Sequence, residues 1–331
     1  MAPLAFAISG GPKPSEIVEL IRLGEDLGYE SAWVAEGHGG DQFAVLSAAA
    51  TQTKTIRLGT AISSVFVRTA PTIAMAAATL DDISGGRFIL GLGSSHKVQV
   101  EPEHGVVYGK PITRTRETVD FIRKLLADGA AAIDGETIRI ENFGLWFERT
   151  GRVPPIYLAG LFPKMVRVTG EIGDGIILTR STLATAGAVR RQLDEGAKSA
   201  GRDGAAIPIT SLLPVAVSDD REEALERMRP GLAFYMGFFP RYNRLIAEYG
   251  FADEAAKISE AWARDDRKAA LGYVTDAMID ATGIAGTPAE CREKIAAYRE
   301  SGIDLPILSP FARGAGAKET FVTALRALAG A

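Results

Sequence analysis

The chain has 331 residues, more than one ordinary core requires, yet α/β barrels of this length remain single domains. Its 37 Lys and Arg stand against 41 Asp and Glu, a formal net charge of -4 with no basic block, which argues against a nucleic-acid partner because phosphate binding needs a clustered positive face. No apolar run approaches the roughly 20 residues of a membrane helix, the start MAPLAFAISGGPKP lacks the charged n-region of a signal peptide, and a lone Cys291 forms no disulfide framework, so a cytoplasmic protein without a membrane partner is expected.

Leu4 to Ser9 reads as a short apolar strand, followed by the helix SEIVELIRLGEDLG with Ser15 as N-cap and Gly28 as its stop. SAWVAE is the second strand, and Gln42 to Thr53 an Ala-rich helix. The third strand runs from Ile56 to Ile62. Pro71 opens its helix, which closes at SGGR. RFILGLG is strand four, and PITRTRETVDFIRKLLADG its helix. ETIRIENFGLWF reads as a hairpin excursion, PIYLAG as strand five with a helix from Pro163, and DGIILT as strand six with a helix from about Thr182 to Ala200. Strand seven is ITSLLPVAVS. A strongly helical region follows, carrying AFYMGFFPRYN, before GTPAECREKIAAYRESG resumes the pattern. Cys291 falls on this amphipathic segment and reads as inert packing. LPILSP is strand eight, and KETFVTALRALAG closes the chain.

Eight strand-then-helix units with almost continuously apolar strands indicate a parallel sheet covered by helices, and eight is the number that closes a barrel. The expected architecture is an α/β, (β/α)8 TIM barrel forming a single domain over 1–331, with a helical insertion at about 219–285 between strands seven and eight. A doubly wound open sheet with extra helices is the alternative.

In a barrel the chemistry lies in the loops after the strands. Those loops carry Ser9, Gly10 and Gly11 after strand one, Glu36, Gly37 and His38 after strand two, Gly93, Ser94, Ser95 and His96 after strand four, Ala159 and Gly160 after strand five, and Thr179 after strand six. Glycine there either makes a tight turn or lets a flat ligand approach the backbone. His38 and His96 aim at the same mouth, and imidazole suits proton transfer near neutral pH. With no HExxH or paired-cysteine spacing, no metal is expected. GLGSSH resembles a fragment of a dinucleotide fingerprint, without its third glycine and after the wrong strand. Backbone N–H groups of Gly160 to Phe162 precede the helix at Pro163, beside Lys164, which suits either an anion site or an ordinary strand-to-helix turn.

In chain order, ESAWVAEGH, IRLGTAISSVFVRTAPTIAMAAATLDDISGGRFILGLGSS, YLAGLFPKMVRVTGEIGDGIILTR and GTPAECREKIAAYRESGIDLPILSP resemble the bacterial luciferase-like superfamily over nearly the whole chain. The likeness is greatest to its branch that uses the deazaflavin coenzyme F420, such as methylenetetrahydromethanopterin reductase. The resemblance implies an oxidoreductase that transfers a hydride between F420 and a small organic substrate. It also implies a homodimer. FMN-dependent monooxygenation, a non-catalytic flavin-binding barrel and a cofactor-free barrel lyase or isomerase are the alternatives.

The resemblance further implies a non-prolyl cis peptide between Ala61 and Ile62 in a bulge that supports the cofactor ring. It implies Ser94, Ser95 and His96 bordering the ring, and Gly160, Leu161, Phe162 and Thr179 at the cofactor's phosphate. Glu36 matches the family's acidic residue after strand two. Gly37 stands where the family has a histidine, with His38 one position later, and Glu36 and His38 are the candidates for proton transfer. Phe234, Tyr235, Phe238, Phe239 and Tyr242 of the insertion suit either a substrate pocket or a core or subunit interface.

Overall fold

The computed structural model describes residues 2–331. In chain order it contains β1 (Ala5–Ile8), α1 (Pro14–Asp26), β2 (Ser31–Val34), α2 (Gln42–Ala50), β3 (Arg57–Thr60), β4 (Ser63–Ser64), α3 (Ala70–Ile83), β5 (Phe88–Gly93), α4 (Lys97–His104) and α5 (Pro111–Asp128). An antiparallel hairpin of β6 (Ala130–Asp134) and β7 (Arg139–Gly144) follows. Then come β8 (Ile156–Ala159), α6 (Pro163–Ile172), β9 (Gly175–Thr179), α7 (Thr185–Ser199) and β10 (Ile209–Val217). Five helices come next: α8 (Arg221–Phe238), α9 (Pro240–Glu248), α10 (Ala252–Ala263), α11 (Arg267–Gly272) and α12 (Asp276–Thr282). The chain ends with β11 (Ile284–Gly286), α13 (Pro288–Glu300), β12 (Leu305–Pro310) and α14 (Ala317–Leu328).

Strands β1, β2, β3, β5, β8, β9, β10 and β12 pair in parallel in that order, and β12 returns to β1, so the sheet is a closed eight-stranded barrel. The expected (β/α)8 architecture is therefore the observed one. The short β4 and β11 add to β5 and β10. Strands alternate their side chains: Ala5, Ala7, Trp33, Ile89, Tyr157, Ile177 and Ile307 fill the barrel interior, while Phe6, Ile8, Leu58, Phe88 and Leu90 face the helices. The large interior rings sit beside glycines. A Cβ on Gly59 would lie 2.3 Å from the Trp33 ring, and one on Gly175 would lie 2.6 Å from the Tyr157 ring.

Local chemistry sets the helix ends. Ser15 is not the cap of α1: Pro14 already occupies the first turn, and the Lys13 N–H donates to Glu16 Oε2 at 2.8 Å, closing the turn one residue pair earlier. Gly28 ends the same helix at φ +80. Asp41 caps α2 through the Ala44 N–H, and Thr287 caps α13 in a reciprocal box with Glu290. Helices α8 to α12 build a separate apolar core from Leu225, Met228, Leu232, Met236, Ile258 and Met278. Cys291 is buried and hydrogen-bonded towards the carbonyls of Ala216 and Gly286, and burial pushes its thiol up to about 11. No helix among the described residues is long and apolar enough to cross a membrane.

Helices α6 and α7 touch backbone to backbone, since a Cβ on Gly196 would lie 2.0 Å from the Arg167 carbonyl oxygen. Gly187 on the same helix α7 meets nothing closer than Arg191 Nη1 at 3.9 Å. Gly196→Ala is expected to destabilise the protein by about 1–3 kcal/mol through overpacking, and Gly187→Ala to stabilise it by about 0.5–1 kcal/mol through helix propensity. Urea unfolding of both variants checks this, and shifts of the same sign would contradict the packing described.

Candidate active site

The mouth of the barrel begins with an irregularity at the end of β3. Gly59 is level with Ile89, and Ser63 with Leu92, so four residue steps on one strand match three on the other: the geometry of a β-bulge. Thr60 bridges the gap, its hydroxyl donating to the Gly91 carbonyl at 2.9 Å and accepting the Gly91 N–H at 2.8 Å. Gly91 has to be glycine for this contact, because a Cβ there would sit 1.9 Å from the Thr60 carbonyl oxygen. The expected cis peptide between Ala61 and Ile62 is not found. All peptide bonds among the described residues are trans, and the extra residue is absorbed by Ile62 at φ +82. Rotating one β-branched residue into the left-handed region costs about 1–3 kcal/mol, against about 3–4 kcal/mol for a non-prolyl cis bond.

Glu36, after β2, holds the bulge in place. Its Oε2 accepts the Ser64 N–H at 2.8 Å and faces the Ser63 hydroxyl at 3.4 Å. Its Oε1 pairs with Arg68 Nε at 2.5 Å, while Arg68 Nη2 reaches Asp41 at 2.6 Å. Both carboxylate oxygens are thus engaged. His38 stands at the rim, its side chain 78 % exposed and its Nε2 3.2 Å from Glu103 Oε2.

The loop after β5 turns at Ser95, φ +54. Ser94 Oγ accepts the Tyr108 hydroxyl at 3.1 Å, and the Tyr108 ring stacks on Phe66 at 4.4 Å. His96 is wedged against Phe239 and Tyr242, with ring centroids 4.6 and 5.0 Å away. Burial, and secondarily the charge of Arg241, lower its pKa to about 4, so the ring is neutral near pH 7.

After β8, the Gly160 N–H is already donated to the Ile177 carbonyl at 3.2 Å and is not free for an anion. Gly160 instead lets the strand lie against Ile176, whose Cδ1 a Cβ would meet at 3.0 Å. The N–H groups of Leu161 and Phe162 make no backbone hydrogen bond among the described residues, and Phe162 opens α6 without a side-chain cap. Thr179 ends β9, and Arg180 follows it at φ +51.

These loops enclose one cavity of about 1150 Å³. It is lined by Glu36, His38, Ala61, Ile62, Ser94, Ser95, His96, Gly160, Leu161, Phe162 and Thr179 together, and by the five aromatics of segment 234–242, Phe234, Tyr235, Phe238, Phe239 and Tyr242. Of the five non-glycine residues with positive φ, three (Ile62, Ser95 and Arg180) line this cavity, and such strain concentrates where a site over-determines the backbone. Arg68, Arg180, Arg241 and helix α4 were not anticipated from the sequence. Arg68 lies four residues past the end of β4, beyond the one or two residues after each strand where the chemistry was sought, and α4 carries a proline, Pro102, that hides its helical pattern. Arg180 directly follows Thr179, the last strand-end residue singled out.

A closed (β/α)8 barrel with its cavity at the C-terminal ends of the strands defines the class. Residues 3–305 match the profile of the luciferase-like monooxygenase family, and the chain belongs to that bacterial luciferase-like family. It is 31 % identical to 5,10-methylenetetrahydromethanopterin reductase of Methanolobus tindarius, over 87 % of this chain and 88 % of that protein. It is 30 % identical to the reductase of the same name from Methanopyrus kandleri, over 92 % and 91 %. The structure of the coenzyme F420-dependent tetrahydromethanopterin reductase from Methanopyrus kandleri superimposes with a TM-score of 0.83 at 26 % identity, covering 99 % of this chain and 98 % of that one.

His96 sets a pH dependence. With a folded pKa of about 4 against an ordinary 6.5, the unfolded chain binds the extra proton between these values, so the contribution to stability is full above about pH 6.5 and lost as pH falls towards 4. Urea midpoints of the wild type and His96→Gln at pH 7 and pH 4.5 check this. The variant is expected to lose on the order of 2 kcal/mol less than the wild type across that interval, and equal losses would contradict the burial of a neutral imidazole.

Proposed function

We propose that this protein is a coenzyme F420-dependent oxidoreductase that moves a hydride between the deazaflavin and a small organic substrate, acting as a homodimer. The observation that carries the reading is the joining of two features in one cavity: the glycine-floored bulge at Ile62, and the unspent N–H groups of Leu161 and Phe162 beside Lys164. A Cβ on Gly93 would meet Ile62 Cγ2 at 2.3 Å, so backbone and side chain close into a platform suited to a flat ring. The free N–H groups and Lys164 suit a phosphate at the start of α6. The likeness to F420-dependent reductases over most of the chain supports the same reading.

When bound, F420 supplies a hydride donor or acceptor at C5 of its ring. The chain supplies position and proton management. Ile62 and Gly93 form the floor, Ser94, Ser95 and His96 the border, and Leu161, Phe162 and Thr179 the phosphate end. His38 exchanges the substrate proton at Nδ1, because its Nε2 faces Glu103 Oε2 at 3.2 Å, a contact that orients the imidazole. Glu36, both of whose oxygens are engaged by Ser64 and Arg68, acts as a positioning residue for the bulge.

Fluorescence-quenching titration separates the cofactors. F420 is expected to bind in the micromolar range and FMN at least about tenfold more weakly, a difference of roughly 1.4 kcal/mol; preferential FMN binding would overturn the reading. His38→Ala is expected to lower kcat about 100-fold and leave the F420 dissociation constant unchanged. Unaltered turnover would remove His38 from the mechanism.

A further inference from the structure

Arg180 is a buried cation of the mouth that the cofactor reading does not use. Its residue exposure is 5 %, and its Nε is enclosed with no hydrogen-bond partner. The guanidinium carbon lies 4.2 Å from the centroid of the Tyr235 ring, and both residues line the cavity. No carboxylate acts on it: the ionisable neighbours are the phenols of Tyr235 and Tyr242. A buried cation without a counter-charge is destabilising unless something compensates it. A stacking ring offsets only part of that cost.

The surrounding backbone fixes this arginine in place. The Arg180 N–H donates to the Leu212 carbonyl at 3.1 Å, the Ser181 hydroxyl is 2.9 Å from that of Ser211, and the Tyr298 hydroxyl donates to the Ser181 carbonyl at 2.7 Å. The left-handed φ of +51 at Arg180 is therefore imposed from both sides. A side chain that only filled space would be better served by an apolar residue at this position.

We propose that Arg180 is a substrate-recognition residue, and that the substrate carries a carboxylate at its non-reacting end. The guanidinium presents paired N–H donors in a plane, which matches a carboxylate. Tyr235, Phe239 and Tyr242 form an aromatic wall beside it, suited to a planar organic body attached to that acid. The assignment to the substrate rests on the proposed cofactor reading, in which the phosphate has its own donors at Leu161, Phe162 and Lys164. Arg180 is left for the other ligand of the mouth.

The test uses the full-length protein, Arg180→Met and Arg180→Lys, with benzoate as the acid probe and benzamide as its uncharged counterpart. Removing an unpaired buried charge, Arg180→Met is expected to raise the melting temperature of the free protein by about 2–5 °C. Benzoate at millimolar concentration is expected to raise the melting temperature of the wild type, benzamide to leave it unchanged, and Arg180→Met to abolish the benzoate shift. Arg180→Lys is expected to retain only part of that shift, because it loses the paired donors. The F420 dissociation constant of Arg180→Met is expected to stay within about threefold of the wild type, a difference below 1 kcal/mol. A benzoate shift that survives Arg180→Met overturns the proposal. So does an F420 affinity that falls more than tenfold, which would assign Arg180 to the cofactor's own anions. Failure of the wild type to bind F420, with the benzoate response intact and dependent on Arg180, would count against the cofactor reading alone.

Discussion

The mouth of this barrel depends on the pairing of Thr60 with Gly91. The threonine hydroxyl donates to one backbone group of Gly91 and accepts from another, taking the place of the main-chain ladder that β3 abandons after Gly59. The sheet can then carry one extra residue without losing closure. The cost appears as the positive φ of Ile62, and its support comes from Glu36, which crosses from β2 to accept the Ser64 N–H. Rigid strands below and a tied carboxylate above are what allow a strained residue to persist. Ser95 and Arg180 repeat the device at the ends of β5 and β9, so backbone strain falls on the surface that meets ligands.

Electrostatics adds a second consequence. The chain as a whole is acidic, with a net charge of -4, yet Lys164, Arg180, Arg241 and Arg313 line one cavity whose acidic members, Glu36 and Glu103, are paired with Arg68 and His38. A positive concavity in an acidic molecule concentrates anions at the mouth. His96 contributes by remaining neutral: wedged between Phe239 and Tyr242 and close to Arg241, it is driven to the uncharged form. The insertion supplies that wall, so the helices α8 and α9 belong to the site as much as the barrel loops do.

The barrel was legible because its strands are almost continuously apolar and because Pro71 and Pro163 mark helix starts where proline is tolerated. The loops lining the mouth were legible because the site lies at strand ends, whatever the side chains there. What the pattern concealed was geometry fixed by single dihedral angles and long-range partners. Nothing local to Ala61 and Ile62 distinguishes a cis bond from a trans bond with a positive φ. The spending of the Gly160 N–H on Ile177 is visible only once β8 and β9 are side by side. Glu36 read as a free acid from its place after β2, but its pairing with Arg68 joins residues 32 apart in sequence.

Whether the Ile62 bulge and the start of α6 together form the proposed deazaflavin site is decided by a crystal structure of the protein with F420. The tricyclic ring is expected against Ile62 and Gly93, with phosphate oxygens within hydrogen-bond distance of the Leu161 and Phe162 N–H groups. F420 bound elsewhere, or in the mouth with its phosphate away from α6, would contradict the proposed site.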